Sequence, residues 1–323
     1  VNSISTGAGT GTVRFEANTG RTFGLGTDSG VADLTLGRDE LALTTTGGIE
    51  IITNRDTSMG APAGNADVIL DAGGPMIANV DLTITSGARI REEEPADNGG
   101  MGAALNDNTK IRLSGTGELT LQAELGIGDN AANNGELNID VPSVTAQVTG
   151  AGDMALASLG AMSVTSASTA DGSIRLRASD VVINTGGMGP AISATGGDVV
   201  LEPVLAGSTI GIGDDSVGLF KLTQAELLEV STDGTLTIGR ADGTGDIDVN
   251  RMGGLDLSTA DYSLTLLSST ASSGGDIVFN SELTLGGAGS MGRRVSLLGA
   301  SITESLAAET AAVTVNGTDS ELL

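Results

Sequence analysis

Five aspartates crowd two stretches of this chain. Asp214 and Asp215 sit together in Gly213-Asp-Asp-Ser216, and Asp242, Asp246 and Asp248 follow within seven residues of one another. Clustered carboxylates support acid–base cleavage of glycosidic bonds, or ligation of a hard cation by oxygen. Acid–base cleavage of the pectin-hydrolysing kind also calls on a histidine, and the chain has none. A lyase would set an acidic calcium site beside an Arg or Lys base. Arg175 and Arg177, on either side of Leu176, project from one face of a strand, as solvated surface pairs also do. Serine nucleophiles lack a histidine partner, and zinc-type sites lack both His and Cys. Calcium is the one metal the composition admits, with Asp214, Asp215, Asp242, Asp246 and Asp248 as its candidate ligands. Their spacing matches neither the glycine-rich nonapeptide calcium roll nor the EF-hand loop. Turns in which Asp accepts backbone N–H bonds account for the same residues. No catalytic residue is therefore expected. Exposed aromatics for sugar stacking are scarce: there is one tyrosine, Tyr262, and four phenylalanines, of which Phe220 is expected in the core or at an end.

These aspartates belong to a repeated element. A five-residue cell of glycine, a polar residue and apolar-x-apolar appears as Gly197-Asp-Val-Val-Leu201. It recurs at Gly11–Phe15, Gly117–Leu121, Gly135–Ile139, Gly152–Leu156, Gly172–Leu176, Gly234–Ile238, Gly245–Val249 and Gly275–Phe279. Glycine turns the chain and alternation aims every second side chain inward, so each cell reads as a short strand entered from a corner. Nine copies make a repeat protein. An apolar row runs Leu119, Leu137, Leu156, Ile174, Ile192, Ile210, Leu228, Ile247, Leu264, Leu283 and Ile302, in steps of 17 to 19 residues. It predicts turns of 18–19 residues, with two or three short strands each. Rungs about 4.8 Å apart would then build a rod of roughly 80 Å. The pattern breaks between Arg91 and Lys110, where an acidic, proline- and glycine-bearing stretch reads as a loop insertion near 91–109. Thr223-Gln-Ala-Glu226 has the form of a capping box and predicts one helical turn from Gln224 to Val230.

Longer modules repeat too. Thr22-Phe-Gly-Leu-Gly26 matches Thr209-Ile-Gly-Ile-Gly213, Asp28-Ser29 matches Asp215-Ser216, and Glu40-Leu41 matches Glu226-Leu227, with a partial echo at Leu125-Gly-Ile-Gly-Asp129. A G-[IL]-G-D element, an apolar strand, x-A-E-L and a Gly-Thr-Leu-Thr-Ile strand together resemble filamentous-haemagglutinin-type exoproteins. The likeness is closest from Gly197 to about Phe279 and looser from Gly11 to Ile52. It implies a right-handed parallel β-helix and a bacterial, extracellular or cell-surface protein of a kind often secreted by a two-partner route. The secretion domain and asparagine-rich signature of such proteins are not among these residues.

Composition agrees with a narrow aliphatic core: 50 of 323 residues are glycine, 2% are aromatic, and Trp, Cys and His are absent. The net charge of −26, with two lysines, Lys110 and Lys221, makes nucleic acid an improbable partner and an anionic membrane a repelling one. No run of eighteen apolar residues is present, so no transmembrane segment is expected. The chain is expected to be one continuous all-β, right-handed parallel β-helix over residues 1–323, a piece of a longer structural rod acting in adhesion, biofilm or filament formation. Alternatives are a self-assembling filament or sheath subunit, and a carbohydrate-binding or carbohydrate-active β-helix. Partners would be neighbouring rungs of the same chain, head-to-tail copies, or host or matrix glycans.

Overall fold

The computed structural model describes residues 11–26, 32–37, 47–54, 66–70, 76–92, 109–128, 135–184, 186–187, 189–270, 274–286, 292–305, 313–316 and 321–323. Among these are 32 strands and one short helix, and all nine glycine cells fall on strands. The chain divides into two compact units, Val1–Ser173 and Ile174–Leu323.

In the first unit, six strands stack in parallel: Val13–Glu16, Ile49–Ile52, Leu82–Ser86, Glu118–Ala123, Ser143–Val148 and Ala161–Thr169. Register aligns one aliphatic row, Val13, Ile49, Leu82, Leu119, Val144 and Val164, and beside it Ile51, Ile84, Leu121, Ala146 and Ala167. All are buried. Small Ala positions next to Leu and Ile let a core built almost without aromatics close up, since contact at van der Waals distance is what fills an interior. Further parallel sheets of this unit carry Phe23–Leu25, Val68–Leu70, Arg89–Glu92, Gly126–Ile127 and Met154–Ala157, and Met76–Ala78, Ile111–Ser114 and Leu137–Asp140.

The second unit repeats the device. Its largest sheet aligns Ile174, Val199, Leu236, Leu264 and Val295 across five parallel strands. A second sheet aligns Phe220, Ile210, Ile247, Ile277 and Ile302, and a third Leu255, Leu283 and Val313. Duplication of the long module is visible in the backbone. Phe23 pairs with Leu34 in the first copy and Ile210 with Phe220 in the second, so each module lays a second strand parallel to its first after ten or eleven residues. The final glycine of each G-x-G element, Gly26, Gly213 and the echo Gly128, has φ of 133°, 101° and 66°, a region that only glycine enters freely.

The 18–19-residue turn does not hold. Leu137 and Leu156 pair 19 residues apart, but Leu119 pairs with Val144, Ile174 with Val199, Val199 with Leu236 and Leu264 with Val295. Those partners lie 25, 25, 37 and 31 residues on. The apolar row counts strands that belong to different sheets, so most of its members are buried without stacking on each other, Leu137 on Leu156 and Ile210 on Ile247 being the pairs that do. Two of them are not buried: Leu228 is 39% and Ile302 52% exposed. Between Val199 and Leu236 the chain inserts the parallel pair Ile210–Ile212 and Phe220–Leu222 and the helix Gln224–Leu228, which lengthens that interval.

The capping box forms as expected: the Thr223 hydroxyl accepts from the Glu226 amide, and the Glu226 carboxylate accepts from the Thr223 amide. The helix stops at Leu228 rather than Val230, which already belongs to the strand Val230–Thr232. Of the loop insertion expected near 91–109, residues 93–108 lie outside the described residues. Its two flanks are joined, since the Lys110 ammonium stands 3.9 Å from the Glu92 carboxylate with both side chains buried.

Candidate functional site

The glycine cells explain where the aspartates go. Asp153 Oδ1 accepts the Ser173 amide at 2.7 Å, Asp198 Oδ1 the Thr235 amide at 2.8 Å and Asp246 Oδ1 the Asp276 amide at 2.8 Å. In each case the acid of one Gly-Asp corner holds the residue just after the glycine of the next corner. Asp81 holds the Glu118 amide in the same way at 2.9 Å. The glycine is needed because the corners touch: a Cβ on Gly172 would lie 2.2 Å from the Gly152 carbonyl, and one on Gly275 would lie 2.1 Å from the Gly245 carbonyl. Buried hydroxyls complete the corners, Thr232 donating to the Gly197 carbonyl, Thr169 to Gly172 and Ser268 to Gly245.

The five candidate calcium ligands are engaged within the fold, Asp215, Asp246 and Asp248 on backbone amides and Asp214 and Asp242 on arginines, and are not brought into a common site. Asp214 pairs with the Arg251 guanidinium at 2.8 Å, and Asp215 accepts the Met252 amide at 2.7 Å. Asp242 takes both Nε and Nη2 of Arg240, which holds its carboxyl below the ordinary aspartate range. Asp248 accepts from the Val217 amide and the Asn280 side chain, both at 2.7 Å. Among the described residues no three acidic, His or Cys side chains gather in a way that would hold a metal ion. Arg175 and Arg177 do share a face of their strand, and Arg177 is bound to Glu202 at 2.7 Å with both side chains largely buried. Phe220 and Tyr262 are both fully buried, and the Tyr262 hydroxyl donates to the Leu227 carbonyl at 3.0 Å. Burial, together with the nearby Asp261, pushes the tyrosine hydroxyl well above its usual range.

Three carboxylate environments were not legible beforehand. Glu226, beyond capping its helix, accepts the Ile183 amide at 3.0 Å. Asp180 accepts the Lys221 amide at 2.9 Å, and burial, with the charge of Glu226 adding to it, raises its carboxyl. Glu92 is likewise raised by burial, against the opposing pull of Asn138 and Lys110. A shallow polar cleft of about 370 Å³ in the first unit runs along four strand levels and is lined by Arg89, Leu125, Gly128, Gly152, Asp153 and Asp171.

The six strands stacked in the first unit also present a regular outward side. On four consecutive strands the outward positions include Thr83 and Thr85, Thr120 and Gln122, Thr145 and Gln147, and Ser166 and Ser168, with Glu118 facing outward at the start of the second strand. Apart from Glu118 at its edge, this run of eight positions carries no charge, in a chain with 56 charged side chains, 41 acidic and 15 basic. The alternation Thr-x-Thr and Thr-x-Gln was readable, but which side faced out, and which strands became neighbours, was not. No family model, no curated protein and no solved structure matches this chain.

Proposed function

We propose that the chain is a structural rod segment of a large secreted or cell-surface exoprotein, serving adhesion, biofilm or filament formation. In this reading the stacked parallel sheets close into a right-handed β-helix. The observation that carries it is the corner ladder. Asp153, Asp198 and Asp246 each fasten their level to the next by the same Gly-Asp contact, so load is shared among several corners instead of resting on one site. The acidic coat keeps such a segment soluble. Its aspartates serve folding, which supports a non-catalytic role. No described helix is long and apolar enough to cross a membrane.

Protease shaving of intact producing cells, followed by immunoblotting, tests the reading. Loss of the full-length signal, or its presence in the medium, is expected. Full protection until the cells are lysed would overturn it. Carbohydrate binding is the second reading, and the uncharged sheet face favours it.

A further inference from the structure

We infer that the outward face formed by Thr83, Thr85, Thr120, Gln122, Thr145, Gln147, Ser166 and Ser168 binds an extended, uncharged polysaccharide laid across the strands. This rests on the carbohydrate-binding reading and is independent of where the protein is exported. The eight side chains are all hydroxyls or amides, able to donate and to accept. Among the described residues only Thr145 has its side chain engaged by the protein, donating to Glu118 Oε1 at 2.7 Å. Gln122 and Gln147 stand in register on adjacent strands, both exposed.

Charge selects the partner. Glu50 on the preceding strand and Glu118 beside the face leave an uncharged patch rimmed by acid. With a net charge of −26 behind it, this surface repels uronate-rich or sulfated chains and leaves neutral ones unopposed. Size selects it again. Four strands about 4.8 Å apart, with outward positions roughly 7 Å apart along each, give a face on the order of 200 Å². That falls well short of the roughly 800 Å² per partner of a stable protein–protein interface, so a second copy of this chain is poorly served. An extended sugar polymer laid across the strands would repeat the same weak contact at successive strand levels about 4.8 Å apart. Aromatic stacking is missing, so affinity has to come from that repetition.

Native affinity electrophoresis in gels containing hydroxyethyl cellulose tests this, with polygalacturonate gels run in parallel. Retardation by the neutral polymer and none by polygalacturonate is expected. The pair Gln122→Glu and Gln147→Glu should weaken retardation at least tenfold. Gln122→Ala with Gln147→Ala should weaken it less, and Thr237→Glu with Thr265→Glu, on the second unit, should leave it unchanged. Thermal melts by circular dichroism establish that each variant is folded, and the alanine pair serves if the glutamate pair is not. The inference is overturned by no retardation of the wild type, by equal retardation in polygalacturonate, or by undiminished binding in both glutamine variants. It is also overturned if light scattering finds a dimer that the glutamate pair dissolves, since the face would then be a contact between copies. Surface exposure of the protein without any retardation would sink the ligand and leave the structural role standing.

Discussion

Gly275 shows how little room a corner leaves. Its Cα faces the Gly245 carbonyl so closely that an added Cβ would sit 2.1 Å from that oxygen, a backbone atom that can move only with its whole strand. Gly275→Ala should therefore lower stability by about 1–3 kcal/mol or more, as overpacking does. Gly160 has open space, its nearest neighbour being the Ser158 hydroxyl at 3.9 Å, and Gly160→Ala should change stability by less than about 0.5 kcal/mol. Urea midpoints measured side by side separate the two. The acids make opposite contributions with pH. Asp242 is held below its ordinary range by Arg240, so its folded form prefers the charged state. It adds stability above the ordinary aspartate range and loses it as pH falls through the depressed folded value. Asp242→Asn should thus destabilise at neutral pH, with the gap closing in acid. Asp180 is raised, chiefly by burial, so its ionised form opposes folding at neutral pH and the penalty fades as it protonates. Glu226→Gln removes the second cause, and carboxyl NMR should find the Asp180 midpoint lower in that variant. An unchanged midpoint would show that burial alone raises it.

Strands and the helix succeed for different reasons. A strand here needs only alternation and a neighbour in register, because the next level supplies its hydrogen bonds and covers its aliphatic row. Ile174 pairs with Val199 and is fully buried, so Ile174→Asp sets an unpaired charge in a dry interior and should cost several kcal/mol, read as a collapse of the unfolding midpoint. The helix Gln224–Leu228 is too short to hold itself. It persists because Glu226 caps it and reaches Ile183, and because Leu227 is buried with its carbonyl bound by Tyr262. This pulls Leu227, and not Leu228, into the core, which is why the regular apolar row fails there. Tyr262→Phe keeps the packing and removes one buried hydrogen bond, for a loss of about 1 kcal/mol in thermal or urea unfolding.

The molecule as a whole carries far more acid than base. Self-repulsion at a net charge of −26 opposes the compact state, and salt screens it over about 10 Å at 0.1 M. The melting temperature should therefore rise between low salt and about 0.15 M sodium chloride. A melting temperature indifferent to salt would mean that local pairs such as Arg177–Glu202 and Arg240–Asp242 already dominate the balance.

Alternation and glycine spacing sufficed for the all-β class, for all nine cells as strands, for the duplicated module and for the capping box, because each rests on contacts between residues close in the chain. That the aspartates would accept backbone amides was legible from their place beside glycine, but their partners, 20 to 37 residues away on the next level, were not. Partner strands were not. The interval from Leu119 to Val144 or from Val199 to Leu236 depends on how much chain loops out between levels, and apolar periodicity carries no record of that length. The candidate site follows suit: Thr120 and Gln122 were visible as an alternating pair. Only the register with Thr83 and Thr85 on one side and Thr145 and Gln147 on the other made them part of an uncharged face. Which side chains share a surface is decided by which strands become neighbours, and that is settled by packing across the whole stack.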